Sequence, residues 1–138
     1  MTNSNAAWLK ERWQLEKQRL EEEIAREEER RRLEQERYEK IQRHRRMQDD
    51  SIWYFMLESS YIRYSSMEKT PSAVLHDIYC RWCEEEHLLP ETFRTFCLHL
   101  KKNAGEYRIA PTNFIWQGKH IRGFRGVTLA EDVHIQHG

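Results

Sequence analysis

Between Trp8 and Gln48 the chain has neither glycine nor proline. Nothing there forces a turn, and the Glu, Arg, Gln, Lys and Leu that dominate it are strong helix formers. Large apolar side chains are scarce in the same stretch; Trp53, Phe55, Trp82, Phe93, Phe96, Phe114, Trp116 and Phe124 all follow Ser51. A packed core has to come from roughly the last 80 residues, enough for one domain of modest stability. No apolar run is long enough to span a membrane, and the opening Met-Thr-Asn-Ser-Asn lacks the basic start and apolar stretch of a secretory leader. A cytoplasmic protein is expected. The three cysteines are an odd number and do not make a disulfide framework.

Catalytic signatures are missing as well. The chain has no nucleophile elbow, Walker loop, dinucleotide fingerprint or His-Glu-x-x-His pair. His76-Asp77 and Glu86-His87 are sequence neighbours that point apart on a helix. Cys80 and Cys83, with Cys97 and His99, copy the spacing of a zinc set. The first two fall inside a predicted helix, however, and His99 follows Cys97 too closely to share its direction. The thiols are expected to act as small apolar groups. No enzyme activity, metal or cofactor is expected.

Charge is plentiful but unevenly placed. The formal sum is zero, yet between Glu91 and Thr128 the bases Arg94, Lys101, Lys102, Arg108, Lys119, Arg122 and Arg125 meet only Glu91 and Glu106. From Glu68 to Pro90 the balance reverses, with Glu68, Asp77, Glu84, Glu85 and Glu86 against Lys69 and Arg81. A basic stretch of this kind draws polyanions whatever the net charge.

Residues 1–50 are expected to form one long charged helix. Glu stands four residues before a base at Glu22 and Arg26, Glu27 and Arg31, Glu28 and Arg32, Glu36 and Lys40, and Glu39 and Arg43. Each such pair is worth about 0.2 to 0.5 kcal/mol. Leu9, Trp13, Leu20 and Ile24 begin an apolar seam, which Glu27 and Arg31 interrupt before Leu33, Tyr38 and Ile41 resume out of phase. Two readings stand, a coiled-coil dimerisation arm and a self-standing or loosely dimeric helix.

Residues 51–129 read as the domain, with 130–138 as a flexible tail. Ile52, Phe55, Met56 and Ser59 recur at helical spacing. Thr70-Pro71 reads as a cap and first helical residue, followed by Val74, Leu75, Ile78, Tyr79, Trp82 and Cys83, and the helix should reach about His87. Thr92 caps a third helix carrying Phe93, Phe96, Cys97 and Leu100, which Gly105 should close. Three β-prone runs follow, Glu106–Ala110, Asn113–Gln117 and His120–Leu129. The last two are joined through Gly118-Lys119 as a type II′ turn. Three helices followed by a hairpin predict a mainly α fold of winged helix-turn-helix type, whose third helix enters the major groove beside the hairpin. The exposed side of that helix would carry Arg94, Thr95, Leu98, His99, Lys101 and Lys102, and the wing Lys119, Arg122 and Arg125. Gly123 and Gly126 would let the backbone approach a partner.

Leu75-His-Asp-Ile-Tyr79-Cys-Arg-Trp82-Cys83, Pro90-Glu-Thr92-Phe-Arg-Thr-Phe96-Cys-Leu-His-Leu100 and Arg122-Gly-Phe-Arg-Gly-Val127 together resemble the C-terminal winged-helix domain of phage and plasmid primase-helicases. The likeness covers roughly residues 50 to 129 in the family's order. It implies DNA contact by Arg94, Lys101, Lys102, Arg122 and Arg125. The primase and ATPase domains of that family have no counterpart in residues 1–50, so neither primer synthesis nor unwinding is carried over. Phe93 stands where the family more usually has a basic or polar residue.

Two functions are therefore expected. One is a non-enzymatic accessory or regulator of a phage, plasmid or other mobile element, holding duplex DNA and dimeric through its N-terminal helix. The other is a protein-interaction module that binds or inhibits a host or replication protein through Phe93, Leu98 and the charged helix.

Overall fold

The computed structural model describes residues 2–130, with side chains from Ala6 onward. Most of the tail expected at 130–138 lies outside the described residues. The chain is mainly helical with a small antiparallel sheet, and it divides into two compact units, one ending at His44 and the other starting at Arg45.

Helix α1 spans Thr2–Asp49. Its apolar residues Trp8, Leu9, Trp13, Leu20 and Ile24 are all exposed, so local ion pairs rather than burial support it. Glu27 binds both Arg30 and Arg31, and Arg30 also reaches Glu34. Arg32 joins Glu29 and Glu36 rather than the expected Glu28. Hydrogen bonding to these guanidinium groups holds the Glu27 and Glu29 carboxyls below the usual carboxylate range.

The second unit takes in the last turn of α1. Met47 packs on the core, and the Gln48 side chain exchanges two hydrogen bonds with the Leu89 backbone, at 2.9 and 2.8 Å. Helix α2 (Ser51–Glu58), strand β1 (Ile62–Pro71), helix α3 (Ser72–Glu85), helix α4 (Phe93–Lys102), a short helix α5 (Ala104–Tyr107) and strands β2 (Ala110–Trp116) and β3 (Lys119–Leu129) follow in order. The sheet runs β1-β3-β2, both pairings antiparallel.

Strand β1 is not among the elements expected from the sequence. Ile62 and Tyr64 begin a strand-like alternation, but the pairing with β3 jumps from Ser65 to Lys69, and the Ser66-Met67-Glu68 insertion between them breaks the period of two. Because β1 runs to Pro71, Thr70 does not cap α3. It pairs with Phe124, and its buried hydroxyl donates to the Val127 carbonyl at 2.7 Å. Helix α3 ends at Glu85, two residues early, in a Schellman motif. His87 takes φ 58°, its N–H donates to Glu84 O, and the N–H of buried Leu88 donates to Cys83 O.

Thr92 caps α4 as expected, accepting the Thr95 N–H at 3.2 Å. Gly105 does not close that helix. The closing residue is Asn103, and the run expected as a strand from Glu106 starts as α5, ended by Arg108 at φ 58°. The hairpin turn is also shifted by one residue. Trp116 pairs with Lys119, leaving Gln117 and Gly118 at φ 49° and 79°, the two positive values of a type I′ turn.

The core joins α2, α3, α4 and β3 through Phe55, Tyr79, Phe96, Leu75, Leu100, Phe124 and Val127, all at most 1% exposed. Tyr79 stacks on Phe96 with centroids 4.9 Å apart. Its hydroxyl shares a 2.6 Å hydrogen bond with Ser51 Oγ and accepts the Glu91 N–H at 2.9 Å. Burial pushes this phenol up to about 12. One polar atom thereby ties the start of α2 to the segment leading into α4.

Candidate nucleic-acid interface

At 100° per residue the faces of α4 separate cleanly. Phe96 and Leu100 are buried, while Arg94, Leu98 and Lys102 are exposed. Phe93, Cys97 and Lys101, four apart, line a groove of about 740 Å³ whose other walls are the start of α3 and the hairpin. Pro71, Ser72, Ala73 and Val74 contribute the first of these walls, and Pro111, Trp116, Ile121 and Arg122 lie in the second. Lys101 and Arg122 are the cations of the lining, which contains no Asp or Glu. Helix α3 starts there without a side-chain cap, so its N-terminal partial charge, about half an elementary charge, adds to the positive potential.

The expected site residues divide into groups. Lys101 and Arg122 come together on the groove, and Arg94 and Lys102 stand exposed on the same helix as Lys101. Thr95 and His99 lie elsewhere, in a small hollow of about 160 Å³ beside Asp49, Asp50 and Glu91. His99 is the clearest departure from the expected exposed face. Its position falls between buried Leu100 and α2, so the ring meets Trp53 edge-on at 5.2 Å and Nε2 sits 2.7 Å from Tyr107 Oη. Burial lowers its pKa, against the pull of Asp50. The Thr95 hydroxyl accepts from Thr92 Oγ1, which fixes it in the cap.

On the hairpin the unbroken register from Trp116–Lys119 to Ala110–Arg125 puts Lys119 and Arg125 on one face of β3 and Arg122 on the other. Arg125 pairs directly with Lys69 of β1. The two glycines leave no room for a partner. A Cβ on Gly123 would lie 2.2 Å from Thr70 O, and one on Gly126 2.7 Å from Arg108 O. The chain's own backbone occupies both approaches.

No protein family, no curated protein and no solved structure matches the chain. Among the described residues no helix is long and apolar enough to cross a membrane, and no three His, Cys, Asp or Glu side chains gather as metal ligands would. Cys83 is buried, Cys80 lies 3.6 Å from His76 Nε2, and Cys97 lines the groove.

The sequence marks the basic residues but not the walls between them. Val74, Pro111, Trp116 and Ile121 line the groove. The hairpin signal placed Trp116 and Ile121 on facing strands, but only the unforeseen β1, which delivers the chain to the start of α3 beside Gly123, makes a groove of them.

Proposed function

We propose that residues 51–129 form a winged-helix DNA-binding module, and that the protein is a non-enzymatic accessory or regulator of a phage, plasmid or other mobile element. The observation that carries this reading is the acid-free groove on which Lys101, Arg122 and the uncapped start of α3 converge. Lys and Arg neutralise phosphates and release their counterions, and a helix start presents N–H groups to the same anions. The helix-strand-helix-helix order, closed by a hairpin whose second strand pairs with the first strand, supports the winged-helix reading. So does the resemblance to the primase-helicase domain. Arg94 and Lys102 extend the basic surface along α4. In this reading α1 is an arm whose exposed Leu9, Trp13, Leu20 and Ile24 suit a second copy of the chain.

Fluorescence anisotropy with a labelled mixed-sequence 30-mer, in duplex and in single-stranded form, tests the reading. Binding at 50 mM salt should weaken log-linearly as salt rises, with a slope of about −2 to −4 for the two to four phosphates these cations reach. Absence of binding to both forms at 50 mM salt would remove DNA as the partner. That result would leave the protein-interaction reading, for which Phe93 and Leu98 are exposed apolar side chains on α4.

A further inference from the structure

We infer that the groove between α4 and the hairpin takes unpaired nucleic acid, with bases stacked against Phe93 and Trp116 and phosphates on Lys101 and Arg122. The inference rests on the DNA-binding reading above and names the form of DNA.

The walls decide it. A closed duplex hides the faces of its bases inside the stack and offers a protein phosphates and groove edges that are polar apart from the thymine methyls. Against such a surface, the apolar Val74, Phe93, Pro111 and Ile121 gain little. An unpaired strand exposes one flat π-face per nucleotide, and grooves that combine backbone cations with aromatic platforms are built for it. Phe93 is 47% exposed although it opens a helix whose next turn is core. The Trp116 ring is braced edge-on by Phe114, with centroids 6.3 Å apart, which keeps it in place at small entropic cost. The volume of about 740 Å³ falls within the roughly 300–1,000 Å³ typical of small-molecule sites, which is room for one or two bases.

The cations agree with the walls. A duplex grip by the hairpin needs its bases on one side, whereas Arg122 is separated by the pleat from Lys119 and Arg125; the groove instead takes in residues of both sides, Trp116 and Ile121 from the Lys119 side and Pro111, Asn113 and Arg122 from the other. The outward face of α4 offers only Arg94 and Lys102 as base-edge donors, beside a Leu98 that is 55% exposed. With Lys101 and Arg122 alone in the groove, the anionic partner is a short stretch of backbone whose bases supply the remaining affinity.

The test is a pair of anisotropy titrations on the full chain at low salt, with a labelled 12-mer of thymidines and a blunt duplex of mixed sequence. The single strand should bind at least about tenfold more tightly. Phe93→Ala and Trp116→Ala should each weaken it by about tenfold or more, as loss of one stacked base does. Trp116→Phe should recover most of that loss, and duplex affinity should stay within about twofold in all three variants. Equal affinity for both forms, or aromatic variants that bind the single strand like the parent, would overturn the inference while leaving DNA binding intact. No binding to either form would overturn both. The comparison of the two DNA forms uses the parent protein, so it decides the matter even if a variant fails to fold.

Discussion

Gly123→Ala should unfold this domain at a far lower urea concentration than the parent, with a stability loss of about 3 kcal/mol or more from overpacking. The added methyl would sit 2.2 Å from the Thr70 carbonyl oxygen, 2.6 Å from Phe114 Cε1 and 2.9 Å from the Thr70 carbonyl carbon. Two of these three atoms are backbone, so no side-chain rotation relieves the clash. Relief requires β1 and β3 to separate where Thr70 pairs with Phe124 and Pro71 with Gly123, which also disturbs the buried Thr70 hydroxyl bond to Val127. For a domain of this size the loss corresponds to a melting temperature about 12 to 24 °C lower. Gly105→Ala is the control. A Cβ there meets nothing within 4 Å, and alanine suits a helical position better than glycine, so stability should be unchanged or rise by up to about 1 kcal/mol. Equal urea midpoints for Gly123→Ala and the parent would show that the strands do not approach as closely as described.

The second large effect is on binding. Replacing Lys101 and Arg122 together by Glu should weaken DNA by about 100-fold at low salt, and the salt slope should flatten by about two, one for each phosphate no longer neutralised. Reversal puts two carboxylates into a lining that has none, so repulsion adds to the missing attraction. Arg125→Glu, on the opposite face of β3 from Arg122, should cost less than half as much in log affinity. Both are surface changes and should leave the melting temperature near that of the parent. A double variant that binds like the parent would place the DNA elsewhere on the molecule.

The sequence revealed the helices of this protein better than its sheet, for identifiable reasons. Helices α2, α3 and α4 each carry an apolar stripe at a spacing of three and four, and the Thr92 cap is a local signal that needs no tertiary partner. Strand β1 carries no such local signature. Its pairing is non-local, and the insertion between Ser65 and Lys69 removes the alternation that would have marked it. The error at Thr70 follows from that omission, since Thr-Pro opens a helix only when no strand already claims the threonine.

At the site, charge was legible and geometry was not. Lys101 and Arg122 could be named from composition alone, but their meeting across a groove depends on β3 lying between β1 and β2. His99 shows the converse. It looks like a polar residue on an exposed turn, yet the aromatic neighbours Trp53 and Tyr107 draw its ring inward. Gly123 and Gly126 suggest room for a partner's approach, but the atoms that approach them belong to Thr70 and Arg108 of the chain itself.

The most direct measurement is a ¹⁵N–¹H correlation titration of the full chain with a short unlabelled thymidine strand. Amide shifts should concentrate at Ser72–Val74, along the Phe93, Cys97 and Lys101 side of α4, and at Thr112, Trp116, Ile121 and Arg122, the residues that wall the groove. Trp53, Thr95 and His99 should stay near their unbound positions. Shifts confined to α1, or spread without preference over the hollow beside Asp50 and the groove alike, would contradict a strand bound between α4 and the hairpin.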